Sequence, residues 1–589
     1  MSRRSVIRLL LLIVPVACVG ILGRVYFTPD EPREGSLVAT MASQANWALP
    51  ELAGRPFAEK PPLLYWLGAA SARAFGASPA AARAPNVLYL LVTALALATL
   101  AGRAAGPAAG FAAGIVAVTA LQLYQVLIWL ATDAPLVAGT ALALLGGYSA
   151  LTARSARERR IGYAGFYAGL AVAFFAKGFA GWLVPVPAFL AVIVLERRWN
   201  ELWRAEIWCG TAFLALAIGA WVLAVERLPQ GHESLKIMFW YNLVGRVMPL
   251  DVPPQYAYAA GHRNSFGKYL LELPLYLMPW AALAIGALRM GARGWRQPGP
   301  VGTAWRLGFG AIVPATILLS VAATARGIYY GPPALGFALL IGLYVGGGRA
   351  APDGFDRLCW RVTGGLVALL AVVLGALAAL VSFAPAVRDG LGMLLGGTAF
   401  VAALAVAWLS ATAATAANAM PRHAVAVAVL LSLVAAALYR PLNDWQNLEA
   451  LAARVTAAAG HRPLIVLGAD ETTLAMAALY VPPGELRLVL EPGAGDAAGE
   501  ARAALAASGS TDRVLWLIPD RARWGCADWL AFLGYRTAPE PTADVAPPAG
   551  LGRVHLECVL VRPGGRSFAL FASADSGGGV ASATERTCL

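Results

Sequence analysis

The sequence predicts a polytopic, mainly α-helical membrane protein with a small α/β domain at its C-terminal end. Three observations carry that expectation. Of 589 residues, 59% are hydrophobic and 13% are charged, about half the charged share of a soluble domain. Apolar runs recur from Ile7 to Leu438, each near the roughly 20 residues that a helix needs to cross a hydrocarbon core. From about Asn443 the pattern changes to short β-rich runs (LIVLGA, LRLVL, RVLWLIP) between alanine-rich helical pieces, the signature of an α/β unit.

Along the chain, hydropathy gives about thirteen spans, near residues 7–25, 84–102, 106–126, 134–152, 161–176, 178–196, 206–225, 269–289, 307–323, 332–347, 362–383, 390–411 and 421–439. The N-terminal stretch has the basic start and apolar middle of a signal peptide. It is long enough to span, so it reads as an uncleaved first helix with Arg3 and Arg4 inside. The segments threaded inside (TARSARERR at 152–160, ERRWNELWR at 196–204, RMGARGWRQ at 289–297 and 347–361) are rich in arginine, as the positive-inside rule requires. The same rule accounts for the formal net charge of +13 without nucleic acid as a partner. Thirteen spans leave the C-terminus outside.

This threading divides the chain into a membrane domain, 1–440, and an outer α/β domain, 441–589. Two long outer segments interrupt the first, 26–83 and 226–268. The earlier one reads as short helices along the interface, anchored by Trp47, Tyr65 and Trp66. Cys18, Cys209 and Cys359 lie in or beside spans. One disulfide is open among Cys526, Cys558 and Cys588, and the sequence does not choose the pair. There is no CxxC, zinc spacing, GxGxxG or Walker pattern, so no nucleotide cofactor is expected.

Charges at a membrane boundary are costly and mark candidate sites. On the outer side stand Asp30, Glu31, Arg33 and Glu34 (in TPDEPREG), Glu59 and Lys60 (FAEKPP), Asp133 (WLATDAPL), Lys177 (FFAKGF), His262, Arg263 and Lys268 (AGHRNSFGKYL), and Arg326, Tyr329 and Tyr330 (TARGIYYGPP). A transporter more often places its polar groups at mid-bilayer. Carboxylates and cations on one face suit transfer from a lipid-linked phosphate: cations hold the leaving phosphate and a carboxylate takes the proton of the attacking hydroxyl. Lysine occurs at Lys60, Lys177, Lys236 and Lys268 alone, all on the outer side of this threading. Either phosphate gripping by compact ammonium groups or an arginine-favouring genome accounts for that. Plainer readings stand beside the sharper ones: Glu31 and Glu34 as helix-start acids, Asp133 as a helix cap, Lys177 as a snorkelling span end.

The string DEPREG, followed by NWALPELAGRPFAEKPPLLYW, resembles the first outer loop of the aminoarabinose transferase group, lipid-linked sugar transferases of the GT-C fold related to protein O-mannosyltransferases. TD at Asp133, the Lys177–Gly178 pair, His262 before an aromatic-rich span, and GIYYGPP continue the match in order over residues 1–340. The resemblance implies Asp30 as the principal catalytic carboxylate and Asp133 as a second acid, with Glu31 kept as a catalytic candidate beside Asp30. It implies Arg33 and Lys60 as holders of a polyprenyl phosphate, with Arg326 and Tyr330 nearby, and Lys177 joins them. Glu59 and His262, chosen over His232, match the family's divalent-metal (zinc-type) pair. Glu34 stands where the family usually carries tyrosine, which leaves sugar and acceptor open.

The implied function is transfer of a sugar from a polyprenyl-phosphate-linked donor to an envelope acceptor, lipid A first, on the periplasmic side of a bacterial inner membrane. Transfer to another envelope glycan or to protein Ser/Thr is the alternative within the class. A lipid-linked glycan transporter or flippase is the alternative outside it.

Overall fold

The computed structural model describes residues 3–247, 265–324, 326–347, 353–387, 390–411 and 416–459, and in the tail 464–466, 470–481, 486–489, 515–520, 530–531, 533–536, 554–562 and 566–573. Helices dominate because backbone in a bilayer must satisfy its own hydrogen bonds. Among the described residues, ten helices are long and apolar enough to cross a membrane. Two more positions are filled by bent pairs, Pro107–Thr119 with Leu121–Ile128 (63°) and Lys268–Tyr276 with Ala281–Gly294 (112°). The span expected at 178–196 is instead a 3₁₀ turn, Gly178–Trp182, followed by the shorter helix Pro185–Leu195. With that helix, all thirteen predicted positions are occupied, and the chain is a multi-pass membrane protein.

The helices Asp133–Leu151 and Ala156–Lys177 form a tightly apposed pair. Added side-chain carbon at Gly146 would lie 2.1 Å from the backbone nitrogen of Phe166, so small residues set the closeness of this crossing. Because the pair is an antiparallel hairpin, the first residue of one helix and the last of the other, Asp133 and Lys177, meet at the same end.

The arginine-rich segments collect at the opposite end. There Tyr163 donates to Glu201 (2.7 Å), Arg306 pairs with Glu196 (2.8 Å) and Arg289 with Asp353 (3.0 Å). The molecule thus has an arginine-rich end and an end carrying the candidate site, as alternating threading requires.

Over that second end lies a layer made by segment 26–83 and the beginning of the tail. Segment 26–83 contains helix α2 (Asp30–Ser43), a two-residue β-hairpin (Glu51–Leu52 with Arg55–Pro56) and helix α3 (Leu63–Phe75), numbered after α1 (Arg3–Leu22). The last long helix, Ala416–Gln446, runs past residue 440. Beyond it, helices Leu448–Ala459 and Glu471–Tyr480 place Leu451, Val455, Leu474 and Ala477 in one apolar core with Leu37, Val38 and Met41 of α2 and Leu64 of α3. Tyr65, expected as an interfacial anchor, is fully buried in that core, whereas Trp66 donates to the carbonyl of Trp47 (2.6 Å) at its edge.

The tail's five-stranded sheet has the order Leu486–Val489, Leu464–Val466, Leu515–Asp520, Arg566–Ser573, Val554–Arg562. The first three strands are parallel and the last two join antiparallel. The three β-rich runs read from the sequence are the parallel strands; the final hairpin was not singled out there. Cys526 and Cys588 lie outside the described residues, as does the side chain of Cys558, and with them the disulfide question.

Candidate active site

Helix α2 sorts its charges by helical geometry. Residues three and four apart share a face, which sets Asp30 beside Arg33 and Glu34, while Glu31 turns to Arg24 and Arg83. Space for α2 depends on Gly35: an added side-chain carbon would sit 2.4 Å from the Tyr26 ring.

Glu31 is fully buried and completely engaged. It accepts from Arg24 Nη2 (3.0 Å), Arg83 Nε and Nη2 (3.0 and 2.8 Å), and the backbone N–H groups of Phe27 (2.8 Å) and Leu130 (2.8 Å). Arg83 also donates to the carbonyls of Arg24 (2.7 Å) and Val25. Burial disfavours the charge on Glu31, but Arg83 and Arg24 outweigh it and hold the carboxyl below its ordinary value. Glu31 thus pins the exit of α1 to α2 and faces no open space.

On the other face, Asp30 Oδ2 accepts from Arg326 Nη2 (2.6 Å) and Oδ1 lies 3.7 Å from Arg33 Nη2. Burial opposes ionisation of Asp30, yet Arg326 and then Arg33 keep its carboxyl below the usual carboxylate range. Arg33 also binds Glu34 Oε1 (2.7 Å) and Glu471, which reaches it from the tail. Glu34 in turn takes a hydrogen bond from Tyr65 (2.7 Å) and lies 3.5 Å from Lys60 Nζ. Lys60 is 3.6 Å from Glu59.

A second group adjoins the first. Lys177 pairs with Asp133 (2.5 Å) and lies 4.4 Å from the centre of the Tyr329 ring. Tyr329 belongs to the turn that starts at Arg326, its N–H bonding the Arg326 carbonyl (3.0 Å). Gly178, at φ +62°, lets the chain leave the helix directly after Lys177, a conformation that only glycine adopts freely.

Lys60, Lys177, Glu59, Tyr329 and Asn242 line the polar side of a cavity of about 290 Å³ whose other walls are apolar, among them Leu136, Phe179, Met238, Phe239 and Leu318. Tyr330 is not among its lining residues. It is fully buried, stacked on Tyr269 and hydrogen-bonded to Thr316 (2.8 Å). Its neighbour Tyr329 is the tyrosine of this turn that lines the cavity wall.

The candidate metal pair is half described. Glu59 lies beside Lys60, and His262 falls outside the described residues. Among the described residues no group of three His, Cys, Asp or Glu side chains converges on one point. Sequence reasoning named Glu34 and Tyr65 without giving either a place in the site, and passed over Glu471. Glu34 had a signal, its position four residues after Asp30. Tyr65 had one in the tyrosine that closes the loop after FAEKPP. Glu471 had none, since 438 residues separate it from Arg33.

Comparisons with known proteins bear on the fold as a whole. Across 97% of this chain and 98% of its own, the crystal structure of ArnT from Cupriavidus metallidurans bound to undecaprenyl phosphate superposes with a TM-score of 0.68 at 16% identity. The chain has the fold of ArnT. ArnT in the apo state gives a TM-score of 0.67. The family described as dolichyl-phosphate-mannose-protein mannosyltransferase matches residues 59–224, a segment that runs from Glu59 and Lys60 through Asp133 to Lys177. Among relatives, the undecaprenyl phosphate-α-4-amino-4-deoxy-L-arabinose arabinosyl transferase of Edwardsiella ictaluri is 28% identical over 55% of this chain and 56% of its own. That of Pseudomonas aeruginosa is 27% identical over 49% and 51%. The chain spans about half the length of the curated relatives it matches. The GT-C architecture is the one expected from the sequence.

Proposed function

We propose that this protein is a membrane glycosyltransferase that moves a sugar from a polyprenyl-phosphate carrier to an envelope acceptor. An amino sugar of the 4-amino-4-deoxyarabinose type and a lipid A acceptor come first, on the periplasmic side of a bacterial inner membrane. The observation that carries the proposal is the row of cations, Arg326, Arg33, Lys60 and Lys177, running from Asp30 to an apolar cavity at one end of the bundle. The relatives' names and the undecaprenyl phosphate bound to ArnT support the same donor class.

In this reading the polyprenyl chain lies in the apolar part of the cavity, and Lys60, Lys177 and Arg33 draw its phosphate to the polar side. Asp30 takes the proton from the acceptor hydroxyl as that oxygen attacks the anomeric carbon. The carbon–oxygen bond to phosphate breaks, and the electron pair leaves with the polyprenyl phosphate, whose charge the cations stabilise. Free Asp30 is a weak base, because Arg326 holds it ionised. Recruitment of Arg326 to the donor phosphate removes that restraint and raises the basicity of Asp30 when the substrate is in place. Asp133, tied to Lys177, orients that lysine and offers a second carboxylate to the sugar. A divalent cation, when held by Glu59 and His262, would add positive charge beside Lys60; the proton and bond changes use the chain's own residues.

Mass spectrometry of envelope lipids and glycans from cells with and without the protein tests the reading. It is expected to reveal one sugar increment on one acceptor, with the polyprenyl-phosphate-sugar pool rising in its absence. An accumulating donor with no modified acceptor in either strain contradicts it.

A further inference from the structure

We infer that Glu471 is a resident anion on Arg33: its carboxylate holds the N–H face that the phosphate of the lipid donor takes, and it turns aside when the donor binds. The inference rests on the proposed lipid-phosphate role of Arg33 and adds a residue of the tail to the site.

Arg33 is 5% exposed. Its Nη2 is held by its own helix, through Glu34 (2.7 Å) and Asp30 (3.7 Å). Its Nη1 is occupied from across the layer by Glu471 Oε2. Carboxylate and phosphate present similar paired acceptors to a guanidinium, so an anion arriving at Nη1 competes with Glu471 for the same donor.

The charges around Arg33 point the same way. Four carboxylates, Asp30, Glu34, Glu59 and Glu471, surround three cations, Arg33, Lys60 and Arg326. A phosphate added to that set meets repulsion unless one carboxylate withdraws. Asp30 and Glu34 are fixed on α2, and the side chain of Glu34 is 1% exposed; that of Glu471 is 36% exposed. Burial pushes the Glu471 carboxyl above its ordinary value, Arg33 pulls it back and Glu59 raises it further, and its partly exposed side chain has room to turn.

The tail helix keeps its place when Glu471 turns. Its start is capped by Asp470, which accepts from Thr473 N (2.9 Å) and Oγ1 (2.7 Å). Thr472 Oγ1 donates to the Pro29 carbonyl (3.1 Å), and Leu474 and Ala477 are locked in the shared core. A rotamer change at the first residue of the helix is enough to uncover Nη1.

The test uses the full chain in nanodiscs, titrated with undecaprenyl phosphate and read by native mass spectrometry, for wild type, Glu471→Gln, Glu471→Ala, Arg33→Gln and the Arg33→Gln/Glu471→Gln double variant. Both Glu471 variants are expected to bind about five- to tenfold tighter than wild type, the scale of one net hydrogen bond. That gain is expected to vanish in the Arg33→Gln background. Binding by wild type that neither Glu471 variant improves overturns the inference and leaves Glu471 as a fastening of the tail; so does a gain that survives without Arg33. Absence of binding by every protein, wild type included, overturns the donor reading beneath it as well.

Discussion

Asp30 and Glu31 are adjacent in sequence and opposite in environment. Glu31 has no exposure and two arginine partners, and removal of one member of a buried charge set leaves the others unpaired. Glu31→Ala is therefore expected to cost about 3–5 kcal/mol, read as a fall in Tm and in membrane yield, whereas Asp30→Asn is expected to leave both near wild type. A pH profile separates the roles around Asp30. Arg326 depresses the pKa of Asp30, and a base must be ionised, so the acid limb set by Asp30 lies below the ordinary carboxylate range. Arg326→Gln removes the cation and leaves the burial, so the pKa rises. The acid limb of kcat/KM is expected to move to higher pH, with lower amplitude from weakened donor binding. Lower amplitude with an unmoved limb means that Arg326 does not set the ionisation of Asp30.

At the scale of elements, α2 is the part on which most of the site depends. Its N-terminal turn carries Asp30, Arg33 and Glu34, its middle is fitted to the Tyr26 ring at Gly35, and its apolar face enters the tail's core. Gly35→Ala forces the ring or the helix to shift and is expected to cost about 1–3 kcal/mol. Activity is expected to fall further than that stability loss alone implies, because α2 carries the base; unchanged Tm and turnover would show that the Tyr26 contact does not position the helix. Much of this element was legible beforehand. The charges of DEPREG, the loop tyrosine and the Lys177–Gly178 break are local patterns, and each lies at the site end of the structure. The split between Asp30 and Glu31 was not legible, because Arg24 and Arg83 flank a turn whose path only packing determines. Nor does GIYYGPP say which of two consecutive tyrosines faces the cavity.

At the scale of the whole molecule, apolar runs and arginine-rich loops were enough to predict thirteen membrane positions and a two-ended bundle, since lipid and charge impose those patterns on every segment separately. The runs could not reveal bends, so two spans proved to be broken pairs and a third a short helix behind a 3₁₀ turn. Nor could they reveal that the tail's first helices share a core with α2 and α3 and send Glu471 to Arg33. Such long-range contacts follow from tertiary packing and leave no periodicity behind.

The proposed transfer joins these scales: an arginine-rich end, a cavity with apolar walls and a cationic side, and a carboxylate held ready among cations. Its most direct test is the envelope-lipid mass spectrum of cells producing Asp30→Asn at wild-type abundance, with the polyprenyl-phosphate pool measured in the same extracts. Loss of the sugar increment by about a hundredfold or more, the lower range for removal of a general base, is the expected result. Modification as complete as in wild-type cells contradicts the assignment of Asp30 as the base on which the proposed transfer depends.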